Sequence, residues 1–402
     1  MKIPDNSEIY KNGYEEKNGN SIEFNGARKK QSSSHFLLKF IVLALLAAAL
    51  VFVWINAATI FEPLRGIASK IENKTSYDIG FPVELPGSSG YSFERFGDCF
   101  SLLTDTYLYT YETTGEQIYA LKHGYSNPHQ ATNDKRILLF DMAAYSFSVY
   151  NKTSVIYQKT LEDKIVYAAV GDANYSAVVT ESPRYSNILY IYDDGGNWKY
   201  TKKFADENVM QVGFTGDGEH IIVSTVSVQN GELITNLYKF SIKTTEDHIW
   251  KYSFRGNSLP CGLYAGAEKI ILVCDNIVVS VDTATGERND SYYYTGQLKC
   301  FDANAESVAL NYNDASTNKN ILIILNSDAQ AVTLTNVGSH TAGVTVDNYG
   351  VYILDGIHLR ILSRDYLTET DSITLNDDFY DFIKIGNSFY MLSYDCIDRI
   401  DR

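Results

Sequence analysis

The chain has 402 residues, of which 45% are hydrophobic and 21% are charged. This composition is typical of a folded protein and excludes a chain that is disordered throughout. The formal net charge is −15, and the first 61 residues hold seven Lys/Arg against five Asp/Glu, so the remainder carries −17. A body this acidic repels phosphate backbones, and we therefore expect no nucleic-acid partner.

The N-terminal tail, residues 1–35, is rich in Asn, Glu, Lys, Ser and Gly and shows no hydrophobic period, so we predict that it is disordered. An apolar segment follows. From Phe40 to Ile55 the only polar atom of any side chain is the indole nitrogen of Trp54, and the flanks extend the segment to 36–61. A helix rises about 1.5 Å per residue, so roughly 20 residues cross a ~30 Å hydrocarbon layer, and we predict one transmembrane helix.

Positive charge before the span predicts its orientation. Arg28, Lys29 and Lys30 precede it closely, whereas Arg65 and Lys70 follow at a greater distance. We therefore expect a single-pass protein of the cell membrane with a cytoplasmic N-terminus and with everything after the span outside. A cleaved signal peptide is the alternative, but its basic region would be unusually long and 56–58 is a poor cleavage site.

After a short stalk, residues 62–76, the remaining domain (77–402) repeats one pattern eight times. In each repeat a run of about four mostly apolar or β-branched residues ends at a turn, and the turns follow one another at 105, 141, 181, 225, 275, 312, 355 and 393. The spacing runs from 36 to 50 residues, in the range of four-stranded propeller blades. Because no amphipathic helix separates the strands, the pattern favours an all-β protein over an α/β fold.

We interpret each run as the first and innermost strand of a blade. Repeat seven would then contain strands at 351–354, 358–362, 372–375 and 380–385. The pattern predicts an eight-bladed β-propeller, with seven blades as the alternative if one repeat is an embellishment.

The two ends of the domain complete one another in this interpretation. The last repeat holds only two strands, at 389–393 and 396–400, while two further strands, at 80–85 and 92–96, precede the first run. Pairing two strands with two would complete a blade, close the ring and remove exposed sheet edges.

Two repeats carry a Thr-Gly signature, in the segments 108–116 and 278–287. Both segments resemble the repeat of quinoprotein-type (PQQ-like) and WD40-like propellers, in which Thr-Gly marks the turn between the second and third strands. Glycine suits such a turn because it accepts a positive φ.

The quinoprotein enzymes hold their cofactor with stacked tryptophans, chelating carboxylates and often adjacent cysteines. This domain has only Trp198 and Trp250 and no adjacent cysteines, so the resemblance implies no cofactor.

The order of tail, span, stalk and acidic, Tyr-rich propeller also resembles a family of clostridial membrane proteins that carry a domain of unknown function. This resemblance covers nearly the whole chain and implies no activity.

Acidic residues occupy the turn after the run in five of the eight repeats: Asp105, Asp141, Glu181, Asp275 and Asp355. If the runs line the central channel, these carboxylates form a partial ring at one channel mouth and could bind a hard cation or a cationic ligand. The alternative is that Asp stabilises tight turns by accepting hydrogen bonds from its own backbone. We predict no metal site and no catalytic set from spacing.

Tyrosine and cysteine give weaker signals. Tyr292, Tyr293 and Tyr294 could contact a sugar or a partner, but tyrosine is also a favoured strand residue, and we expect most tyrosines to pack between blades. The five cysteines have no C-x-x-C spacing, so we expect free thiols, with one disulfide as the alternative.

The leading functional hypothesis is a non-enzymatic, membrane-tethered scaffold that binds a membrane-proximal protein or an envelope polymer through the loops of one face. The longest insertion, around 227–235 in blade four, is expected to overhang that face. The alternative is an extracellular enzyme that processes glycans or peptides with carboxylates at the channel mouth. Glycoside hydrolysis would need two carboxyl groups ~5–9 Å apart, and the fold alone does not choose between the hypotheses.

Overall fold

The structure is a computed structural model that describes residues 80–402, apart from 89, 172 and 245–246. The predicted tail (1–35), transmembrane helix (36–61) and stalk (62–76) lie outside the described residues. No helix in the described part has the length and apolar character needed to cross a membrane. The regular structure of this part consists of 32 strands in eight four-stranded antiparallel sheets.

The first four sheets follow the chain directly. Blade 1 contains β2 (Ser92–Phe96), β3 (Cys99–Leu103), β4 (Tyr107–Glu112) and β5 (Gln117–Lys122). Blade 2 contains β6 (Pro128–Thr132), β7 (Ile137–Asp141), β8 (Ser146–Tyr150) and β9 (Val155–Thr160). Blade 3 contains β10 (Ile165–Val170), β11 (Ser176–Thr180), β12 (Asn187–Tyr192) and β13 (Trp198–Phe204). Blade 4 contains β14 (Asn208–Phe214), β15 (His220–Gln229), β16 (Glu232–Ser241) and β17 (Trp250–Arg255).

The other four sheets use the rest of the chain and its beginning. Blade 5 contains β18 (Pro260–Ala265), β19 (Lys269–Cys274), β20 (Ile277–Asp282) and β21 (Arg288–Tyr293). Blade 6 contains β22 (Gly296–Ala303), β23 (Ser307–Asp314), β24 (Lys319–Asn326) and β25 (Ala331–Val337). Blade 7 contains β26 (Thr341–Val346), β27 (Val351–Asp355), β28 (His358–Leu362) and β29 (Glu369–Thr374). Blade 8 contains β30 (Asp381–Ile385), β31 (Ser388–Leu392), β32 (Cys396–Asp401) and β1 (Val83–Glu84).

The sheets stand around a common axis. Around most of the ring the first strand of one sheet contacts the first strand of the next, so these strands are the innermost. Hydrophobic clusters fill all eight interfaces between neighbouring blades, from Phe96 and Ile137 between blades 1 and 2 to Phe100 and Tyr390 between blades 1 and 8. The prediction of an eight-bladed propeller is therefore confirmed.

The predicted assignment of strands within the blades was wrong by one position. Each apolar run is the second strand of its blade, and the strand predicted at 380–385 is β30, the innermost strand of blade 8. The runs are more hydrophobic because second strands are covered on both faces, as in β7, where all five residues are buried. The innermost strand β6 is only half-buried throughout, so its pattern is weaker and it was taken for the end of the previous repeat.

The closure of the ring is confirmed, but the closing blade combines three C-terminal strands with one N-terminal strand, rather than two with two. Residues 92–96 form the innermost strand of blade 1, and only β1 joins the three C-terminal strands. Val83 pairs with Ile397 and Glu84 with Cys396. The backbone N–H of Leu85 also donates to the carbonyl of Asp395 at 2.8 Å.

The two Thr-Gly signatures lie at the turns between third and fourth strands, because each blade begins one strand earlier than predicted. Gly115 has φ +88° and Gly286 has φ +74°, which L side chains rarely adopt. A Cβ atom at Gly286 would also lie 2.5 Å from the ring of Trp250. Both the conformation and the close approach of the indole therefore require glycine at this turn.

Phe81 provides a test of ring closure. Its ring lies 5.6 Å from that of Tyr390 in blade 8 and 6.4 Å from that of Phe100 in blade 1, measured between centroids. Since Phe81 bridges the two ends of the ring, we expect Phe81→Ala to lower the free energy of unfolding by about 1–3 kcal/mol in urea titrations. Tyr349→Ala, at a highly exposed side chain, should change it by less than about 0.5 kcal/mol. Equal effects of the two variants would contradict this role for Phe81.

Candidate functional site: an acidic arc on one face of the ring

All five acidic residues predicted from the turns lie on one face of the ring. Antiparallel strands alternate in direction, so the turn after the second strand and the loop that leads into the first strand share a face. We call this the loop face and the other the opposite face. The five residues follow second strands, and they therefore lie one strand further from the axis than the predicted channel mouth.

Three of the five fix loops within their own blade. The carboxylate of Asp141 accepts hydrogen bonds from the backbone N–H groups of Ser126 and, at 2.7 Å, Asn127. Asp275 accepts from the N–H of Leu259 at 2.8 Å.

Asp355 repeats the arrangement in blade 7. It accepts from the N–H of Gly338 at 3.2 Å and pairs with Arg360. In each of the three cases the donor belongs to the loop that enters the blade, rather than to the turn of the acid itself as the turn hypothesis expected. These three carboxylates therefore hold the entry loops in place.

The other two, Asp105 and Glu181, are exposed and lie in a larger set. Exposed carboxylates on the loop face follow the half of the ring from the loop before blade 8 to the loop before blade 4. We call this set the acidic arc, and its members are Asp105, Glu162, Glu181, Asp206, Asp377, Asp378 and Asp395. None of them forms an ion pair with another described residue.

Ion pairs are concentrated on the opposite face. Of the sixteen within the described ranges, ten involve carboxylates of the opposite face, for example Lys152 with Asp98 at 2.5 Å and Arg136 with Asp194 at 2.7 Å. Three involve the loop face, and none of those three is on the arc. Exposed Lys122, Lys164 and Arg184 lie on the same half of this face, so the seven carboxylates outnumber the bases and the arc carries a net negative charge.

Aromatic side chains accompany the arc. Tyr394 is 77% exposed beside Asp395, and its ring centroid lies 4.8 Å from that of Tyr380. Tyr145 is also exposed on this half of the loop face. Tyrosines combine an apolar ring with a polar hydroxyl and are enriched where proteins contact partners.

The other half of the loop face is more aliphatic and carries the predicted overhang. In blade 4 the strands β15 and β16 are ten residues long, and their hairpin turns at Asn230 and Gly231, both with positive φ. The insertion around 227–235 therefore extends from the loop face, as predicted, and exposes Val228.

Two half-buried carboxyl groups on innermost strands were not predicted. Burial raises the pKa of Glu94 on β2 to about 7, and repulsion from the charge of Asp381 adds to this effect. Burial likewise raises the pKa of Asp381 on β30 to about 6. The sequence offers no signal for this pair, because 287 positions separate residues that only ring closure brings to adjacent blades.

A cluster of possible metal ligands lies at one end of the arc. The cluster consists of Asp377, Asp395 and Cys396, each of which offers one ligand atom. The three atoms lie within 4.8 Å of one another, and no other such trio occurs in the part of the chain that the structure describes. Burial raises the pKa of the Cys396 thiol, which disfavours the thiolate that binds metal. The cluster therefore adds negative charge to the arc without a strong metal-binding group.

The five cysteines carry free thiols. Cys261 and Cys300 lie on the innermost strands β18 and β22, rather than on outer strands as the shifted assignment implied. They line an open cleft of about 590 Å³ between blades 5 and 6, together with Asp275 and Phe301.

The role assigned to Asp141 gives a stability prediction. Asp141→Ala leaves two backbone N–H groups of the entry loop without their acceptor, and we expect it to lower the free energy of unfolding by about 1–2 kcal/mol. Asp105→Ala removes an exposed carboxylate and should cost less than about 0.5 kcal/mol. Chemical denaturation of both variants measures this difference, and a similar cost for the two would show that Asp141 does not hold its loop.

The raised pKa of Glu94 gives a pH prediction. Because its folded-state pKa is about 7 against an ordinary 4.5, the folded protein retains a proton that the unfolded chain releases, and stability falls as pH rises through this window. Glu94→Gln should therefore stabilise the folded protein at pH 8 by about 1–3 kcal/mol, which raises its melting temperature, and should have little effect at pH 5. The control is Glu116→Gln at an exposed turn, for which we expect no pH-dependent gain. A gain for Glu94→Gln that is equal at both pH values would contradict the assignment.

The chain is similar to several solved propellers. BamB from Moraxella catarrhalis matches with a TM-score of 0.52 and 9% identity, over 79% of this chain and 99% of its own. Sqt1 from Saccharomyces cerevisiae matches with a TM-score of 0.58 and 8% identity, over 80% of this chain and 98% of its own. The dihydro-heme d1 dehydrogenase NirN matches with a TM-score of 0.54 and 8% identity, over 76% of this chain and 70% of its own. At such identities these similarities show the fold alone.

No curated protein sequence matches the chain significantly. A family profile does: the one described as a family of unknown function, DUF5711, matches residues 70–401.

Proposed function

The chain belongs to this family of unknown function, and we propose that it is a non-enzymatic binding scaffold that holds a Lys/Arg-rich segment of a partner protein on the acidic arc. A propeller suits this role because its blades hold variable loops on a rigid frame. The fold allows many functions, so the proposal rests on the surface of this chain rather than on the propellers it resembles.

The observation that carries the proposal is the unequal pairing of charge on the two faces. Nine carboxylates of the opposite face are paired with Lys, Arg or His, although others there, such as Glu116 and Asp365, are not; none of the seven on the arc is paired. An uncompensated surface attracts cations and raises association rates by roughly 10–10³-fold. It also repels anionic envelope polymers, so a basic protein segment is favoured among the partners expected from the sequence.

The exposed tyrosines support a protein partner over a small cation. Tyr394 and Tyr145 offer aromatic faces next to carboxylates, and such faces bind Lys and Arg side chains through cation–π contacts. A bound metal ion would use the carboxylates alone.

The proposed location is the outer surface of the cell membrane, with 36–61 as the anchor. The stalk of residues 62–76 reaches at most about 50 Å when fully extended, at 3.3–3.6 Å per residue. A partner that reaches the arc would therefore lie close to the bilayer.

Glu94 and Asp381 support a second candidate, an enzyme that processes glycans or peptides. Both are half-buried on neighbouring blades, and the charge of Asp381 raises the pKa of Glu94, so the two carboxyl groups interact as an acid–base pair would. Such a pair also needs one protonated and one ionised group, and here burial raises both pKa values. This is why the scaffold remains our first proposal. The enzyme would lose all turnover in Glu94→Gln, whereas the scaffold would bind its partner unchanged.

A charge-reversal experiment tests the scaffold. The probe is a fluorescent peptide of alternating Lys and Tyr, and binding is measured by fluorescence anisotropy at two salt concentrations. For Asp105→Lys/Glu181→Lys we expect affinity to fall by about tenfold or more at low salt, with less difference at high salt. The matched control is Glu116→Lys/Asp365→Lys, which makes the same charge change at exposed, unpaired residues of the opposite face.

The control variant should bind within about twofold of the unaltered protein, because its new charges lie on the other side of the ring. Equal losses in the two variants would mean that only net charge matters, and would contradict a site on the arc.

A further inference from the structure

The outermost strand of each blade presents an unpaired edge to solvent. Soluble proteins protect such edges with charged residues, above all Lys, because an uncharged edge pairs readily with another strand. Seven of the eight outermost strands follow this rule: β1, β5, β9, β13, β17, β21 and β29 each contain at least one Lys, Arg, Asp or Glu. The exception is β25.

Strand β25, Ala331–Val337, has no charged residue, no proline and no glycine. Its Val and Thr residues favour extended structure. Val332 and Leu334 are 51% and 58% exposed, and alternation along the regular part of the strand directs Leu334 and Asn336 to one face. The strand is therefore an uncharged, largely apolar edge seven residues long, irregular at Val332 and regular from Thr333 to Val337.

We propose that β25 is a dimerisation edge, at which two copies of this chain pair their β25 strands antiparallel across a two-fold axis. The four strands of blade 6 in each copy would then form one continuous sheet of eight strands. Such contacts are isologous, since the same strand is used on both sides.

Charge limits where a second copy can bind. The chain carries a net charge of −15, so two copies repel one another over most of their surfaces. Edge pairing at β25 brings no charged side chain of either strand to its counterpart. A basic partner, by contrast, would gain nothing from an uncharged edge and would be drawn to the acidic arc.

Self-complementarity supports the same conclusion. In an antiparallel pair centred on Leu334, each Leu334 faces its equivalent, and each Thr333 faces Thr335 of the other copy. Cross-strand pairs of this kind contribute roughly 0.2–1 kcal/mol each, so we expect a dimer that forms with increasing concentration.

The test is the mass of the full chain in a mild detergent, measured by sedimentation equilibrium over a wide range of concentration. We expect the unaltered chain to approach twice its monomer mass. Leu334→Lys places two like charges opposite one another, and we expect it to raise the dissociation constant by about tenfold or more. The matched control is Val155→Lys, because Val155 is 50% exposed on β9, an outermost strand that already contains Lys159.

Val155→Lys should dimerise like the unaltered chain. The proposal is overturned if the unaltered chain stays monomeric throughout, if Leu334→Lys dimerises equally well, or if Val155→Lys loses dimerisation to the same extent. Equal dimerisation of Leu334→Lys would place any self-association elsewhere in the chain. An equal loss in Val155→Lys would indicate general hydrophobic adhesion.

A second measurement does not depend on the fold tolerating a lysine. In a Cys261→Ser background, which removes the exposed thiol, Leu334→Cys should form an intermolecular disulfide when oxidised glutathione accepts the two electrons. Val155→Cys in the same background should not. Cross-linking of Val155→Cys alone, or of neither variant, would contradict the pairing of β25 with itself.

Discussion

The pairing of Val83–Glu84 with β32 is the contact on which the rest of the ring depends. No blade has a hydrophobic core of its own, because every cluster of buried residues lies between two neighbouring blades. An open ring would expose the facing surfaces of blades 1 and 8, including Phe100 and Tyr390. Two residues of N-terminal strand, supported by Phe81, thus complete the eighth interface and close the ring.

A closed ring separates stability from recognition. The apolar clusters hold the blades, and carboxylates such as Asp141 and Asp275 hold the entry loops, so exposed positions on the loop face are free to carry charge. The chain uses that freedom unequally. Nine carboxylates of the opposite face are paired with bases, whereas none of the seven on the arc is.

The repeat spacing was sufficient to predict eight blades, because each second strand is buried on both faces and stands out as an apolar run. The same burial caused the error of one strand: β6 and the other innermost strands lack so strong a pattern. The candidate site was predicted only in part. Asp105 and Glu181 were identified from their turns, but the arc also draws on loops such as that of Asp377. Glu94 and Asp381 become neighbours only through closure.

The contact between Val83 and Ile397 joins the earliest part of the domain to the latest. During synthesis, blades 1 to 7 can each dock on their predecessor as they emerge, whereas the last interface must wait until nearly the whole polypeptide has left the ribosome. Throughout that interval Phe93 and Phe100 lack their cover. A chain that lacks β32 therefore leaves an exposed apolar surface on blade 1, and such surfaces promote aggregation.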